Sequence, residues 1–189
     1  MRLLAVIFAL PAMLCTGLGA AAAEHAGVEH PINFLSYSDR FASAGQPNAE
    51  QLASLKDAGF ERIVYIAFSD QERSLPHEDR LVKQLGMEYL HIPVDFGAPL
   101  PSEFEAFAAA MNRDPDRKTL LHCQVNYRAT AFALLYRVLH QDVPLPEAKA
   151  AMNSIWTPNA VWTQFLLDVL ETNGVDPNCE GCDWTPAEL

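Results

Sequence analysis

Residues 119–139 read TLLHCQVNYRATAFALLYRVL. The stretch that ends at Cys123 is short and apolar, which is typical of a buried strand, and the stretch that follows Arg128 has the apolar spacing of a helix. Cys123 therefore stands where a strand ends, and a short polar loop connects it to the beginning of a helix. A strand followed directly by a helix is the repeating unit of α/β proteins.

The rest of the chain repeats the alternation of strands and helices. Predicted strands cover residues 32–37, 61–68, 88–94 and 118–123, and predicted helices cover residues 48–59, 77–86, 101–113 and 128–140, with two more beginning at Pro146 and at Thr157. Residues 42–48 predict a turn, and Ser102 with Glu105 predicts a capping box. The sequence therefore predicts an α/β fold with a central, mostly parallel sheet of four to five strands flanked by helices.

The first 23 residues differ from the rest. They contain one early basic residue, an apolar stretch and a run of small residues, which is the pattern of a secretory signal peptide cleaved near Ala22 or Ala23. A membrane anchor is an alternative, although the apolar stretch is short for a span. Lipid attachment at Cys15 is another. We expect an exported protein, periplasmic or secreted, with no membrane span after cleavage.

Composition limits the number of domains and the partners. The chain has 189 residues, is 50% hydrophobic and carries a formal net charge of −11, which suits one domain with an ordinary core. Nucleic acid is not an expected partner, because its binding needs a basic surface. We assign residues 24–174 to a single domain and residues 175–189 to a C-terminal tail.

Cys123 lies where a ligand is expected. In open α/β sheets, ligands bind beyond the carboxyl ends of the strands, and the following helix offers unpaired N–H groups and a positive dipole end. These features and the charge of Arg128 favour the thiolate of Cys123, while the forked guanidinium suits two oxygens of a tetrahedral anion. The pattern indicates phosphoryl transfer to Cys123 without a metal or other cofactor. The alternative is an inert buried cysteine beside a surface arginine.

A second polar segment, HIPVDFGAP, follows the predicted strand at residues 88–94. Asp95 should lie at the same edge of the sheet as Cys123, and Gly97 and Pro99 mark a loop that can close over a site. Asp95 is therefore the candidate general acid for the leaving oxygen and general base for a water. It could instead only cap the loop before Pro99.

Two motifs, HCQVNYR at residues 122–128 and IPVDFGAP around Asp95, resemble those of cysteine-dependent protein tyrosine and dual-specificity phosphatases. A bacterial branch of tyrosine-phosphatase-like proteins is similar over most of residues 32–172. The resemblance implies a phosphatase fold with a phosphate-binding loop, in which Cys123 is the nucleophile, Arg128 binds the phosphate and Asp95 is the acid. The implied substrate is a phosphorylated protein, with phosphotyrosine one choice, or a small phosphate monoester.

The residues around the loop are expected to contact the substrate: His122, Gln124, Val125, Asn126, Tyr127 and Thr130. Gln124, Val125 and Asn126 would act through backbone N–H groups, and Tyr127 would flank the mouth of the site. Asn126 is also expected to adopt the left-handed conformation that a glycine provides in the family. His122 would tune the thiol or only end the strand. Thr130 is the candidate for the hydroxyl that usually follows the arginine.

The loop places four residues between Cys123 and Arg128, one fewer than the usual phosphatase loop. Rhodanese-like sulfurtransferases have this shorter length, carry a persulfide on the cysteine and need no general acid. A sulfurtransferase that uses a Cys123 persulfide is therefore the alternative enzyme. An inactive phosphate- or protein-binding module is the alternative from another class.

A close cysteine pair, Cys179 and Cys182, lies near the C-terminus. In an exported protein the pair predicts a local disulfide. A redox pair is an alternative, as is half of a zinc site, which would need two more ligands such as His25 and His30.

Overall fold

A computed structural model describes residues 29–188. Within this range the strands are β1 (Leu35–Ser36), β2 (Phe41–Ala44), β3 (Arg62–Tyr65), β4 (Glu88–His91) and β5 (Thr119–His122). The helices are α1 (Ala49–Asp57), α2 (Glu78–Gln84), α3 (Pro101–Arg113), α4 (Tyr127–His140), α5 (Leu145–Asn153) and α6 (Ala160–Thr172). The predicted α/β class with a mostly parallel sheet is confirmed.

The strand order β1-β2-β5-β3-β4 places β5 in the middle of the sheet. β5 runs parallel to both β2 and β3, and β1 alone is antiparallel, pairing with β2. His122 at the end of β5 is in register with Ala44 on one side and Tyr65 on the other. The carboxyl ends of three strands therefore meet beside Cys123, at the edge where α/β proteins bind ligands.

Two apolar clusters cover the two faces of the sheet. One contains residues of α3 to α6, among them Phe107, Phe132 and Trp162, and the other contains residues of α1 and α2, such as Leu52 and Val82. Helix α4 is buried along most of its length, because it packs on the central strand and is itself covered by α5 and α6. The loop before α4 is thus attached to a helix that the core buries along most of its length.

Local capping signals were only partly correct. The predicted cap of α1 is confirmed, since Asn48 and Gln51 exchange the two bonds of a capping box. The predicted box of Ser102 is wrong, because the Glu103 carboxylate accepts instead from the Leu100 N–H, at 2.8 Å. The predicted start of the last helix is also wrong, because Asn159 is its N-cap and bonds the N–H group of Trp162.

The predicted turn at residues 42–48 is wrong in its first half. Phe41–Ala44 forms the parallel strand β2, all four residues of which are buried. Small residues have weak intrinsic strand preference, so pairing with β5 and burial decide this segment.

The predicted signal peptide, residues 1–23, lies outside the described residues, as does His25, so export stays a prediction. No helix within residues 29–188 combines the length and apolar character needed to cross a membrane. In the tail, Cys179 and Cys182 are joined by a disulfide. The tail lies against α5, with the ammonium group of Lys149 4.9 Å from the ring centre of Trp184.

Candidate active site

The phosphate-binding loop predicted from the sequence runs from the end of β5 into α4. Cys123 follows β5 directly, is a free cysteine and is 1% exposed. Its backbone N–H donates to the carbonyl of Ala44 at 3.2 Å, which continues the pairing of β5 with β2. The sulfur atom is therefore carried by a rigid, buried strand end.

Asn126 gives the loop its shape. It has φ 73°, the left-handed conformation expected from the sequence, and is the N-cap residue of α4. Its side-chain amide donates to the carbonyl of Asn33 at 2.6 Å, and the Asn33 amide donates to the carbonyl of Val125 at 3.0 Å. These two bonds hold the loop against the segment before β1 and offset the cost of a left-handed non-glycine residue.

The N–H groups of the loop are available to an anion. The backbone N–H groups of Gln124, Val125 and Tyr127 donate to no acceptor within residues 29–188. Gln124 and Val125 precede α4 and Tyr127 is the first of its 14 residues, so the helix dipole adds positive potential at the same place. Unpaired amides around a cysteine suit the oxygens of a phosphoryl group.

Gly45 allows the loop to approach β2 closely. A Cβ atom at this position would lie 3.0 Å from the carbonyl oxygen of Gln124 and 3.1 Å from the Cα atom of Val125, and it would collide with the side chain of Ile32. Two of these three neighbours belong to the phosphate-binding loop. A side chain at this position would therefore displace the loop.

We expect Gly45→Ala to lower the free energy of unfolding by about 1–3 kcal/mol, the usual cost of overpacking, and to weaken anion binding at the displaced loop. Urea denaturation measures the first effect. Gly97→Ala is the matched control, because a Cβ atom there has one neighbour, the Asp95 carboxylate, at an ordinary 3.5 Å. Equal midpoints for the two variants would contradict the role given to Gly45.

Arg128 connects the loop to two other segments. The side chain is buried, at 4% exposure, and its guanidinium donates to the carbonyl of Val94 at 2.9 Å and to the amide oxygen of Gln71 at 3.0 Å. Val94 immediately precedes Asp95. Arg128 thus faces the candidate acid loop, and is not a surface side chain.

Asp95 lies on an anchored loop. It is exposed, and its carboxylate accepts from the N–H of Gly97 at 2.8 Å. The next residue, Phe96, packs against Trp162 and Trp156 at ring separations of 5.8 and 6.0 Å, and its carbonyl accepts from the indole N–H of Trp162 at 2.9 Å. These contacts fix the loop near Arg128 and leave the carboxylate open to solvent.

The side chain of Gln124 holds the segment between β3 and α2. Its amide nitrogen donates to the hydroxyls of Tyr65 and Ser74, at 2.8 and 3.1 Å, and its oxygen accepts from the backbone N–H of Arg73 at 3.1 Å. Burial raises the pKa of Tyr65 above its ordinary value, so this hydroxyl keeps its proton near neutral pH. The same segment supplies Gln71, which sequence reasoning missed.

The remaining predicted contact residues occupy the back and the rim of the loop. His122 is fully buried, with its ring 4.7 Å from that of Tyr65. Tyr127 stacks on Trp156 at 4.7 Å. The hydroxyl of Thr130 donates to the carbonyl of Tyr127 and accepts from the indole of Trp156, so these partners, and not the thiol, account for its position.

Solved structures with the same fold include a DUF442 phosphatase from Shewanella putrefaciens CN-32, 32% identical, with a TM-score of 0.68 over 77% of this chain and 93% of that one. TpbA from P. aeruginosa, solved with phosphotyrosine, is 20% identical, with a TM-score of 0.55 over 67% of this chain and 75% of its own. The PP-IP phosphatase SIW14 from S. cerevisiae is 17% identical, with a TM-score of 0.59 over 78% and 96%.

TpbA and SIW14 share the fold with this chain, but one was solved with phosphotyrosine and the other is described as a PP-IP phosphatase. The fold alone therefore does not identify a substrate. A comparison with curated proteins found no match. Residues 23–158 match the PTP-NADK family, described as the DSP-PTPase phosphatase fused to NAD+ kinase. The resemblance to tyrosine-phosphatase-like proteins that the sequence predicted is thereby confirmed. The chain belongs to the PTP-NADK family of DSP-PTPase phosphatases.

Proposed function

We propose that the protein hydrolyses phosphate monoesters through a cysteinyl-phosphate intermediate, with Cys123 as nucleophile, Arg128 as phosphate ligand and Asp95 as general acid. The observation that carries the proposal is the convergence at one sheet edge of a buried cysteine, unpaired loop amides and a buried guanidinium that contacts the acid loop. Family membership supports the same reaction class.

In the first step, the Cys123 thiolate attacks phosphorus, the sulfur–phosphorus bond forms and the phosphorus–oxygen bond to the leaving group breaks. Asp95 gives its proton to the leaving oxygen. In the second step, Asp95 takes a proton from a water that attacks phosphorus, the sulfur–phosphorus bond breaks and inorganic phosphate leaves. The loop amides and Arg128 stabilise the charge on the three equatorial oxygens in both steps.

The rim of the site favours an aromatic leaving group. Phe96 is 37% exposed and lies 5.8 Å from the guanidinium carbon of Arg128, and the stacked pair of Tyr127 and Trp156 lies beside it. An aryl group bound at these rings would gain contact area and favourable edge or stacked geometry. Phosphotyrosine and other aryl phosphates are therefore the proposed substrates.

We expect Asp95→Asn to lower kcat for an aryl phosphate by about 10²-fold, the lower end of what a positioned acid contributes. Asp70→Asn is the matched comparison, because Asp70 is also an exposed aspartate and lies next to Gln71, which contacts Arg128. The measurement is steady-state hydrolysis across pH. A large loss of kcat with Asp70→Asn and none with Asp95→Asn would show that the general acid is not Asp95 and lies in the loop of Asp70.

The same protein preparation separates the alternatives. A sulfurtransferase would form thiocyanate from thiosulfate and cyanide and would not hydrolyse aryl phosphate. Its rate of thiocyanate formation would not change with Asp95→Asn. This result would reject the phosphatase. Phosphate binding with neither activity would leave a binding module. Turnover of aryl phosphate that depends on Asp95 supports the proposal.

A further inference from the structure

A buried carboxylate lies behind the phosphate-binding loop and has no role in the steps above. Glu78, the first residue of α2, is 4% exposed. Its Oε1 atom accepts from the side-chain amide of Gln46 at 2.9 Å and lies 3.2 Å from Nε2 of His122, the residue before Cys123. Within residues 29–188, no lysine or arginine forms an ion pair with it.

The contact between Glu78 and His122 is electrostatic in character. The two atoms are at ion-pair distance, but their orientation is not that of a hydrogen bond, and neither ring nitrogen of His122 has a hydrogen-bond partner among the described residues. A buried carboxylate without a compensating positive charge is costly. Among the described side chains that contact Glu78, the imidazole is the one that can supply this charge by holding a second proton.

We propose that Glu78 is a positioning residue that keeps His122 positively charged behind Cys123, so that the imidazolium stabilises the nucleophilic thiolate. The inference rests on the proposed function for its purpose, although its test needs no substrate. His122 is directly bonded to Cys123 in the chain, whereas Glu78 belongs to α2 and meets the imidazole at 3.2 Å. A second proton on the imidazole therefore places a positive charge on the residue next to the thiolate.

Three other titratable groups near the pair of His122 and Glu78 come from the neighbouring strands β3 and β4. Tyr65 stacks on the imidazole from β3, and His91 of β4 stacks on the far side of Tyr65 at 5.2 Å. The hydroxyl of Tyr89 reaches Glu78 at 3.5 Å. Burial keeps both tyrosines protonated by raising their pKa values, so neither supplies a charge that could replace the imidazolium.

The test is the pH midpoint of Cys123 ionisation, read from the ultraviolet absorbance of the thiolate as the difference between the protein and its Cys123→Ser variant. We expect Glu78→Gln to raise this midpoint by about one pH unit, because the imidazole loses its second proton and its charge. Asp79→Asn is the matched control, since Asp79 is the adjacent carboxylate on α2 but is exposed. It should leave the midpoint unchanged.

The sign of the shift decides between two roles of Glu78. If Glu78 were a charged group beside a neutral imidazole, its removal would take away a negative charge and lower the midpoint. A lowered or unchanged midpoint therefore overturns the proposal. The nitrogen chemical shifts of the His122 ring in the unmutated protein give a second measurement that does not depend on the folding of the variant. A neutral imidazole at pH 7 would also overturn it.

These readouts separate the inference from the proposed function. A raised midpoint in Glu78→Gln, with no hydrolysis of any aryl phosphate by the unmutated protein, would keep the positioning role and reject the phosphatase. Hydrolysis of aryl phosphate by the unmutated protein together with a lowered midpoint in Glu78→Gln would keep the phosphatase and reject the positioning role of Glu78.

Discussion

Cys123→Ser abolishes the hydrolysis of aryl phosphates, with an expected fall in kcat/KM of about 10⁵-fold or more, the scale on which covalent enzymes lose rate without their nucleophile. A serine hydroxyl at this position stays protonated near neutral pH, so it would not supply the anionic nucleophile that the proposed mechanism needs. The measurement is the initial rate with an aryl phosphate at fixed pH, with the thermal midpoint recorded alongside.

The chain offers a matched control in the two cysteines of its tail. Cys179 and Cys182 are joined to each other in the tail, so the double serine variant removes sulfur without touching the loop and should retain hydrolysis within a few-fold. The Cys123→Ser variant should still bind phosphate, because the amides and Arg128 remain. Hydrolysis by Cys123→Ser at a tenth of the normal rate or more would exclude the covalent mechanism.

Much of the candidate site could be predicted because its signals are local in sequence. The apolar run before Cys123, the spacing to Arg128 and the helical pattern after it all lie within residues 119–139. Asn126 was predictable as a left-handed residue, since few other side chains tolerate that conformation. These features follow from how a strand end and a helix start are built.

The missed features are those that the sheet order brings together. Gly45 lies at the loop only because β2 pairs with β5, and Gln71 reaches Arg128 only because β3 is the neighbour of β5 on the other side. Neither residue carries a local signal, since one sits in a small-residue segment and the other in a polar loop. Trp156 has the pattern of a core residue, yet it is half-buried and forms the rim with Tyr127.

Arg128→Lys is expected to lower kcat/KM by about 10³-fold, within the range for loss of a main charge-stabilising group. A lysine carries the same charge but cannot contact two phosphate oxygens in one plane. Its single ammonium group also replaces the two guanidinium nitrogens that now contact the Val94 carbonyl and the Gln71 amide oxygen, so the connection of the acid loop to the phosphate site is weakened. Both losses act on the transition state.

Arg137→Lys is the control for general damage, because Arg137 is a buried arginine on the same helix that pairs with Glu147 away from the loop. Its activity should remain within a few-fold of normal, while Arg128→Lys should also lose affinity for inorganic phosphate in a titration. If the two variants lost activity equally, the effect would come from the packing of α4. If Arg128→Lys kept normal phosphate affinity and rate, the guanidinium would not be the phosphate ligand, and the loop amides alone would have to hold the anion.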